Sequence, residues 1–341
     1  MILVLNCGSQ SIKWKLFSEK LKKVKGGDVS VADDKDYGNI LLTEIEKLAE
    51  YKADIKIIGH RVVYGGKKFK NLAVLNSDSL LELGKFNRLA PLHNPYNILG
   101  AKTAERVFPL VKQVAIFDTE FFDNMPEVAK IYALPKEITE KYGFRKFGFH
   151  GISHEYVAQK AAEKIKKPLN KLKIITCHLG GGASIAAIKN GKPIDTSMGF
   201  TPMDGLVMAT RSGSIDPGII LELAEDLSVE RTKEMLNKES GLMGICHTGE
   251  MLEVLEKIKR EDESAKLALN IFAYSIKKYI GAYFAVLDGC DVLVFTGSIG
   301  AGLPKTRNTI LKDLNILKNT SILVIKTDEE MAIAQKIIKV K

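Results

Sequence analysis

Three apolar stretches of this 341-residue sequence each run directly into a short loop rich in glycine and serine. The loops read N-C-G-S-Q-S (6–11), H-L-G-G-G-A-S (178–184) and F-T-G-S-I-G (295–300). Glycine lets backbone N–H groups approach an anion closely, and serine adds hydroxyl donors. One such loop is most often only a tight turn, whereas three in one chain favour a nucleotide held between paired lobes. None matches a P-loop or a clean G-x-G-x-x-G dinucleotide fingerprint.

Two arginines in glycine-bearing contexts and one aspartate suit phosphoryl transfer, which depends on charge neutralisation and in-line positioning more than on covalent chemistry. Arg61 in H-R-V-V-Y-G-G and Arg211 in T-R-S-G are two of only eight arginines in the chain. Either one alone would more often be a surface arginine, but guanidinium has a forked donor geometry that lysine lacks. Asp118 ends the apolar stretch Q-V-A-I-F-D, a usual place for a metal-directing carboxylate in an open α/β sheet.

The composition excludes several other classes of protein. The net charge of +9 comes from lysines spread along the chain, whereas a nucleic-acid binder would more often concentrate Arg and Lys with interleaved aromatics. No stretch reaches the ~18 to 20 apolar residues of a membrane span, and the N-terminus lacks the pattern of a signal peptide. We therefore expect a cytoplasmic protein that binds neither nucleic acid nor membrane. Its cysteines lack metal spacing and should be reduced, buried small hydrophobes: Cys7, Cys177, Cys246 and Cys290.

Strand-like and helix-like segments alternate along the chain, which predicts an α/β architecture. The predicted strands are 1–6, 12–17, 54–63, 113–118, the stretch 171–182 that runs into glycines, the hairpin 184–195 and the stretch 290–300, again a strand followed by glycines. The predicted helices are 39–50, 267–287 and a terminal helix from about Asp328. A break between two lobes is expected near 143–148.

The chain closely resembles the acetate kinase family, within the superfamily of actin-like proteins, sugar kinases and Hsp70-type ATPases. The stretches that carry the resemblance are 4–17, 59–66, 90–98, 115–122, 147–157, the long block 177–218, 240–245, 294–300 and 327–334. It implies two actin-like (RNase H-like) lobes with mixed five-stranded sheets and an interlobe cleft. The first lobe would cover 1–145 plus 329–341, and the second, for nucleotide binding and dimerisation, 146–328.

The resemblance also implies catalytic roles. Arg61 and Arg211 would flank the transferring phosphoryl group, with Arg61 also near the substrate carboxylate, and His150 would hydrogen-bond the phosphoryl group in the transition state. A histidine beside glycine and phenylalanine is otherwise usually structural. His93, next to Asn94, matches a second active-site histidine that could only hold the site's geometry. For His154 a structural role is favoured.

Magnesium, with manganese as an alternative, requires hard oxygen ligands. The resemblance implies that Asn6, Glu329 and Asp118 serve the metal. A glutamate in the first turn of a helix is otherwise a routine residue that the helix dipole favours, and an asparagine in a loop is otherwise an Asx turn.

The acyl group is expected in an apolar notch formed by Val63, Leu92, Phe149 and Pro202, each of which taken alone is simply a core candidate. One extra methylene changes binding by only ~1 to 3 kcal/mol, so propionate stays open beside acetate.

The nucleotide side departs from the family's pattern. The residues that would bind ATP or ADP are Ser9, Ser11, Lys13, His178, Gly180, Gly181, Gly182, Glu250, Met251, Gly297, Ser298, Ile299 and Gly300. Among them Gly181 replaces an asparagine, and the 297–302 loop reads G-S-I-G-A-G. Ser214 replaces an aspartate, and an adenine-side arginine is missing near 250–252. These changes leave the phosphoryl-transfer residues in place and put the donor's identity in question.

The expected activity is Mg-dependent, reversible transfer of a phosphoryl group between ATP and acetate, which gives acetyl phosphate and ADP in a homodimeric enzyme. One alternative is a related kinase that uses propionate, or a donor other than ATP. A second is a non-catalytic nucleotide-binding regulator, which the joint presence of Asn6, Arg61, Asp118, His150, Arg211 and Glu329 disfavours.

Overall fold

A computed structural model describes residues 1–9, 11–31, 36–66, 68–69, 72–91 and 93–340. The chain forms two compact units. The first comprises Met1–Asp123, His150–Ser153 and Asp328–Lys341, and the second comprises Asn124–Phe149 and His154–Thr327.

The described elements alternate between strands and helices along the whole chain. The strands are β1 (Ile2–Cys7), β2 (Ser11–Phe17), β3 (Lys23–Ser30), β4 (Ile57–Val62), β5 (Ala73–Val74), β6 (Lys112–Phe117), β7 (Lys173–Leu179), β8 (Ala183–Lys189), β9 (Lys192–Thr196), β10 (Val292–Thr296) and β11 (Ser321–Val324). The helices are α1 (Tyr37–Glu46), α2 (Ser77–Gly84), α3 (Asn94–Val107), α4 (Glu127–Lys130), α5 (Lys136–Tyr142), α6 (Gly151–Ile165), α7 (Pro217–Leu227), α8 (Val229–Lys238), α9 (Gly241–Cys246), α10 (Met251–Lys259), α11 (Glu263–Leu287), α12 (Gly297–Gly302), α13 (Pro304–Leu311) and α14 (Glu329–Val340). Within this described part of the chain, no helix combines the length and apolarity that a membrane span requires.

The first unit is built on a mixed sheet with the strand order β3-β2-β1-β4-β6-β5. Strands β1, β4 and β6 run parallel to one another, so their carboxyl ends meet at one edge. Every residue of β1 is buried, whereas β2 alternates, so that Ile12, Trp14 and Leu16 face a core shared with α1 and α3.

Helix α14 packs on the other face of this sheet, over β1, β2 and β4. Gly59 of β4 makes this packing close. A Cβ atom at that position would lie 2.5 Å from Ile337 Cδ1 and 2.9 Å from Ile333 Cγ2. The missing side chain therefore lets the last helix approach the sheet closely.

The second unit contains a mixed sheet with the order β11-β10-β7-β8-β9. Strand β10 lies parallel to β7 and β11, and β7, β8 and β9 form an antiparallel meander. The 25-residue helix α11 covers this sheet with buried side chains that include Leu269, Phe272 and Ile276. The Asp262 carboxylate caps its first turn by accepting a hydrogen bond from Ala265 N at 3.0 Å.

The α/β architecture predicted from the alternating pattern is confirmed, with two differences in detail. The second sheet has the expected five strands, but a sixth strand, β5, extends the first sheet by pairing with β6. Two residues at a sheet edge carry no periodic pattern, so hydrophobic periodicity does not predict this strand. The third glycine loop forms the short helix α12 rather than an open turn.

Residues 124–149 cluster with the second unit, whereas the sequence analysis placed residues up to 145 in the first lobe. Backbone hydrogen bonds explain this, since Lys146 N donates to Lys130 O at 2.7 Å and Phe147 N to Gly199 O at 3.0 Å. Tyr132 Oη also accepts a hydrogen bond from Phe200 N at 2.9 Å.

Replacing Gly59 by valine should destabilise the first unit, because the added methyl groups would collide with Ile333 and Ile337. Overpacking of this kind costs about 1 to 3 kcal/mol of unfolding free energy, which chemical denaturation can measure. Gly38→Val is the matched control, because a Cβ there meets no atom within 4 Å. Equal stability of the two variants would contradict the close packing of α14.

Candidate active site

Three residues of the first unit converge because they occupy the carboxyl ends of neighbouring parallel strands. Asn6 lies near the end of β1, Arg61 near the end of β4, and Asp118 directly follows β6. The carboxyl edge of a parallel sheet is where open α/β proteins bind ligands. The sheet therefore gathers an amide, a guanidinium and a carboxylate that are far apart in sequence.

Arg61 and Asp118 form a two-pronged ion pair. Arg61 Nη2 lies 2.6 Å from Asp118 Oδ2, and Nε lies 3.1 Å from both carboxylate oxygens. Burial raises the pKa of the Asp118 carboxyl, and the guanidinium of Arg61 opposes that rise. Burial also acts to lower the pKa of Arg61, but the charges of Asp118 and Glu329 outweigh it and raise that pKa. The two-pronged contact therefore holds both side chains in place.

Glu329 reaches the same guanidinium from the start of α14. Its Oε2 atom lies 2.7 Å from Arg61 Nη1 and accepts a hydrogen bond from Asn6 Nδ2 at 3.0 Å. The same Asn6 amide donates to Glu330 Oε1 at 2.9 Å. Both glutamates lie in the first turn of the helix, where its dipole favours negative charge. Arg61, Asp118, Glu329 and Asn6 thus form one connected network, which we call the Arg61 network.

The oxygen donors of the Arg61 network have the chemistry that Mg²⁺ requires. Among the described residues, however, no group of three acidic, histidine or cysteine side chains is close enough to hold an ion. Both oxygens of Asp118 and one of Glu329 are instead bonded to Arg61. These residues fit a magnesium ion that takes one or two protein carboxylates and completes its shell with water and substrate phosphates.

His150 joins the network through its backbone. It adopts a left-handed conformation with φ of 55°, and its N–H donates to the Asp118 carboxylate, which lowers the pKa of that group. Gly151 N donates to Asp118 O at 3.0 Å, and a Cβ atom on Gly151 would lie 2.1 Å from that oxygen. The G-F-H-G motif is therefore explained locally by the close approach of this segment to Asp118.

Asn94 of the H-N-P segment and the nearby Asn97 hydrogen-bond to backbone groups at the end of strand β1 and just after strand β4. Asn94 pairs with the backbone of Tyr64, accepting from its N–H at 3.0 Å and donating to its carbonyl at 2.8 Å. Asn97, which the sequence analysis missed, accepts from Val63 N and donates to Cys7 O at 2.7 Å. His93 is the cap residue of α3, and Leu92 lies outside the described residues.

Arg211 lies in the second unit and is 8 % exposed. Its Nη1 donates to the carbonyl of Pro202 at 3.1 Å, and burial lowers the pKa of its guanidinium to about 10. Pro202 and Phe149, both predicted to touch the acyl group, are buried in this unit. Ser214, three residues beyond Arg211, donates to Asp204 Oδ1 at 2.8 Å and so helps to close the same loop.

Two predicted nucleotide loops are neighbours within the second unit. They follow the parallel strands β7 and β10, in which His178 lies opposite Thr296. A Cβ atom on Gly180 would lie 3.4 Å from Ser298 Oγ, and one on Gly297, whose φ is 79°, would lie 2.4 Å from Leu179 O. Gly297 is thus required by its backbone, whereas a Cβ at Gly181 would meet open space. Steric constraints therefore do not require glycine at position 181.

The remaining predicted nucleotide residues have different environments. Ser9 and Ser11 flank the turn after β1, which Gly8 N closes by donating to Ser11 O at 2.9 Å.

Lys13 Nζ lies 3.3 Å from Asp28 Oδ2, and Glu250 is the cap residue of α10. Met251 is 3 % exposed, so its side chain belongs to the core of the second unit. Gly182 accepts from Gly180 N at 3.0 Å, which makes that loop a tight turn.

His154 has the structural environment expected of it. Its ring nitrogens lie 2.7 Å from Thr176 Oγ1 and 2.7 Å from Ser184 Oγ, on strands β7 and β8. Burial lowers the pKa of the imidazole well below its ordinary value, so the ring stays neutral.

The chain is similar to known proteins over nearly its whole length. A sequence model of the acetokinase family matches residues 22–336. Acetate kinase of Acetivibrio thermocellus is 41% identical, with 99% of this chain and 98% of that protein covered. Among solved structures, acetate kinase of Porphyromonas gingivalis has a TM-score of 0.87 at 35% identity, with 99% of both chains covered. A propionate kinase of Francisella tularensis has a TM-score of 0.89 at 38% identity, with 98% of both chains covered.

Replacing Arg61 by methionine should lower the free energy of unfolding by about 3 to 5 kcal/mol, because it leaves Asp118 buried without its counter-charge. The double variant Arg61→Met/Asp118→Asn should recover part of that loss, since it removes both charges. Chemical denaturation of the two single variants and the double variant measures this coupling.

Arg231 provides the matched control. It also forms two short contacts with one carboxylate, at 2.6 and 2.7 Å from Glu239, but both partners are about half exposed. Arg231→Met should change the free energy of unfolding little, because solvent screens an exposed ion pair. A loss in Arg61→Met no larger than in this control would contradict the buried ion pair.

Proposed function

The chain belongs to the acetokinase family, and from this premise we propose that it is an acetate kinase that transfers a phosphoryl group reversibly between ATP and acetate. Family membership makes it a kinase. The observation that carries the finer proposal is the Arg61 network, in which a partly buried guanidinium is held between two carboxylates at the carboxyl edge of a parallel sheet.

In the proposed reaction an oxygen of acetate attacks the γ-phosphorus of ATP, the bond to the bridging oxygen breaks, and ADP leaves. No enzyme nucleophile is required. Arg61 is assigned to the substrate carboxylate and the transferring group, and Arg211 and His150 to the charge that develops on the phosphoryl oxygens. Burial strengthens the attraction of both guanidinium groups for a nearby anion, because solvent screens their charge only weakly.

Magnesium, when bound, would neutralise charge on the nucleotide's phosphates. Asp118 and Glu329 are the side chains assigned to hold it, directly or through water, with Asn6 beside them. Because Arg61 contacts both carboxylates, it fixes their separation before substrate binds. Preorganised groups of this kind need little rearrangement during the reaction.

Propionate is the second candidate acceptor. The similarity to a propionate kinase, with a TM-score of 0.89, favours testing it. The residues assigned to the acyl methyl include Val63, Phe149 and Pro202, which are apolar and buried. Such a surface distinguishes one methylene only weakly.

The proposal also includes the phosphoryl donor and the oligomeric state. ATP is the proposed donor, although the loops at 297–302 and 250–252 depart from the family pattern that the sequence resembles. A homodimer is also proposed. Helix α7 supports it, because none of its residues is buried and it exposes Ile219 and Leu221.

Purified protein should form acetyl phosphate from ATP, Mg²⁺ and millimolar acetate, and should form ATP from acetyl phosphate and ADP. A matrix of donors (ATP, GTP, pyrophosphate) against acceptors (acetate, propionate), assayed by coupled spectrophotometry, should give its highest kcat/KM for ATP with acetate. Activity only with propionate, or only with another donor, would replace that part of the proposal. No acyl phosphate with any pair would refute it.

Arg211→Ala should lower kcat on the order of 10³-fold, as the loss of a transition-state donor does, and Arg61→Ala should do the same. Arg211→Lys should recover little, because an ammonium cannot reproduce the forked geometry. Steady-state kinetics check both. Losses below tenfold in both alanine variants would contradict the assigned roles.

A further inference from the structure

Lys15 lies next to the Arg61 network without touching Arg61. It lies on β2, and it shares a sheet face with Asn6 because Asn6 pairs with Lys13, two residues away. Its Nζ atom lies 2.7 Å from Asp328 Oδ1 and 3.3 Å from Glu330 Oε2. Asp328 in turn accepts from Met331 N at 2.8 Å and so caps α14. Lys15 therefore holds the start of the helix that carries Glu329.

Lys15 is linked to Glu329 through Glu330 and Asn6, because Asn6 donates a hydrogen bond to each of the two glutamates. The Asn6 amide donates to Glu330 at 2.9 Å and to Glu329 at 3.0 Å. Both carboxylates are more than nine-tenths buried. They therefore share one amide, and each needs a cation of its own. Arg61 serves Glu329, and Lys15 serves Glu330.

The charges explain why this lysine matters. Burial acts to lower the pKa of Lys15, but its bonds to Asp328 and Glu330 raise it, so the ammonium stays charged. Without that charge, Glu330 would be buried with only hydrogen-bond donors to compensate it, which is unfavourable. It would then compete with Glu329 for the amide of Asn6, and the position of Glu329 would no longer be fixed.

We propose that Lys15 is a positioning residue for the phosphoryl-transfer site: its ammonium fixes Asp328 and Glu330, and through Asn6 it sets the place of Glu329. This inference rests on the proposed function, in which Glu329 serves the metal. It assigns a role to a side chain that reaches neither substrate nor metal. Removing a group that orients a metal ligand typically lowers metal affinity or activity about 10- to 100-fold.

The test compares Lys15→Met, Lys15→Arg and the control Lys25→Met in the full-length protein. Lys25 is a lysine of the same sheet that lies 2.8 Å from Glu50, and it lies on the opposite sheet face from Lys15 because it pairs with Leu16. Three quantities are measured: kcat and KM for acetyl phosphate formation, Mn²⁺ affinity in the presence of ADP by electron paramagnetic resonance, and the melting temperature. Lys15→Met should lower kcat and Mn²⁺ affinity by about tenfold or more. Lys15→Arg should restore both, and Lys25→Met should change neither.

The sign of the Mn²⁺ result separates positioning from simple electrostatics. Removing a positive charge would by itself tighten cation binding, whereas displacing Glu329 weakens it. Tighter binding, or a lower melting temperature with unchanged kcat and Mn²⁺ affinity, would overturn the inference.

A second variant keeps the test independent of how well Lys15→Met folds. Glu330→Gln removes the charge that Lys15 balances, so Lys15→Met should have a smaller effect on kcat in that background than alone. Additive effects would contradict the proposed coupling. An inactive wild-type protein would overturn both this inference and the proposed function, whereas an active wild type with an unaffected Lys15→Met variant overturns the inference alone.

Discussion

The site of the first unit depends on one partly buried guanidinium that is held between carboxylates from distant parts of the sequence. Arg61 contacts Asp118, which is fully buried, and Glu329, 268 residues away in the chain. This arrangement requires β4 and β6 to end at the same edge and α14 to begin above it. Gly59, two residues before Arg61, permits the close packing of α14. The fold of this unit and its site are thus set by the same contacts.

Such a network is poorly explained as a source of stability. Removing charges from water costs several kcal/mol per ion, and well-packed apolar residues often do as well or better than a buried ion pair. Its value is positional, because both oxygens of Asp118 and one oxygen of Glu329 have defined donors: Arg61, Asn6 or the backbone of His150. A reaction that develops charge on phosphoryl oxygens gains most from groups that are already oriented.

A glycine-bearing context indicated Arg61 as a candidate and a place at the end of an apolar strand indicated Asp118, and the α/β order of elements follows from the apolar periodicity. Glu329 was predicted only through family resemblance, since a glutamate in a first helical turn has an ordinary local explanation. Lys15 and Glu330 were missed, because their significance comes from contacts such as Asn6–Glu330, which joins residues 324 apart. An alternating lysine on β2 and a pair of glutamates opening a helix were the available signals. The open space around Gly181 likewise follows only from coordinates.

Chemical rescue of Arg61→Ala tests whether the guanidinium of Arg61 acts in phosphoryl transfer. Acetyl phosphate formation by this variant would be measured with increasing guanidinium chloride below denaturing concentrations, with ammonium chloride as the control salt. We expect guanidinium to restore activity to the variant, whereas ammonium should not, and the wild-type protein should not be stimulated. A folded variant that is not rescued by guanidinium, or that retains near wild-type activity without it, would show that Arg61 does not have this role.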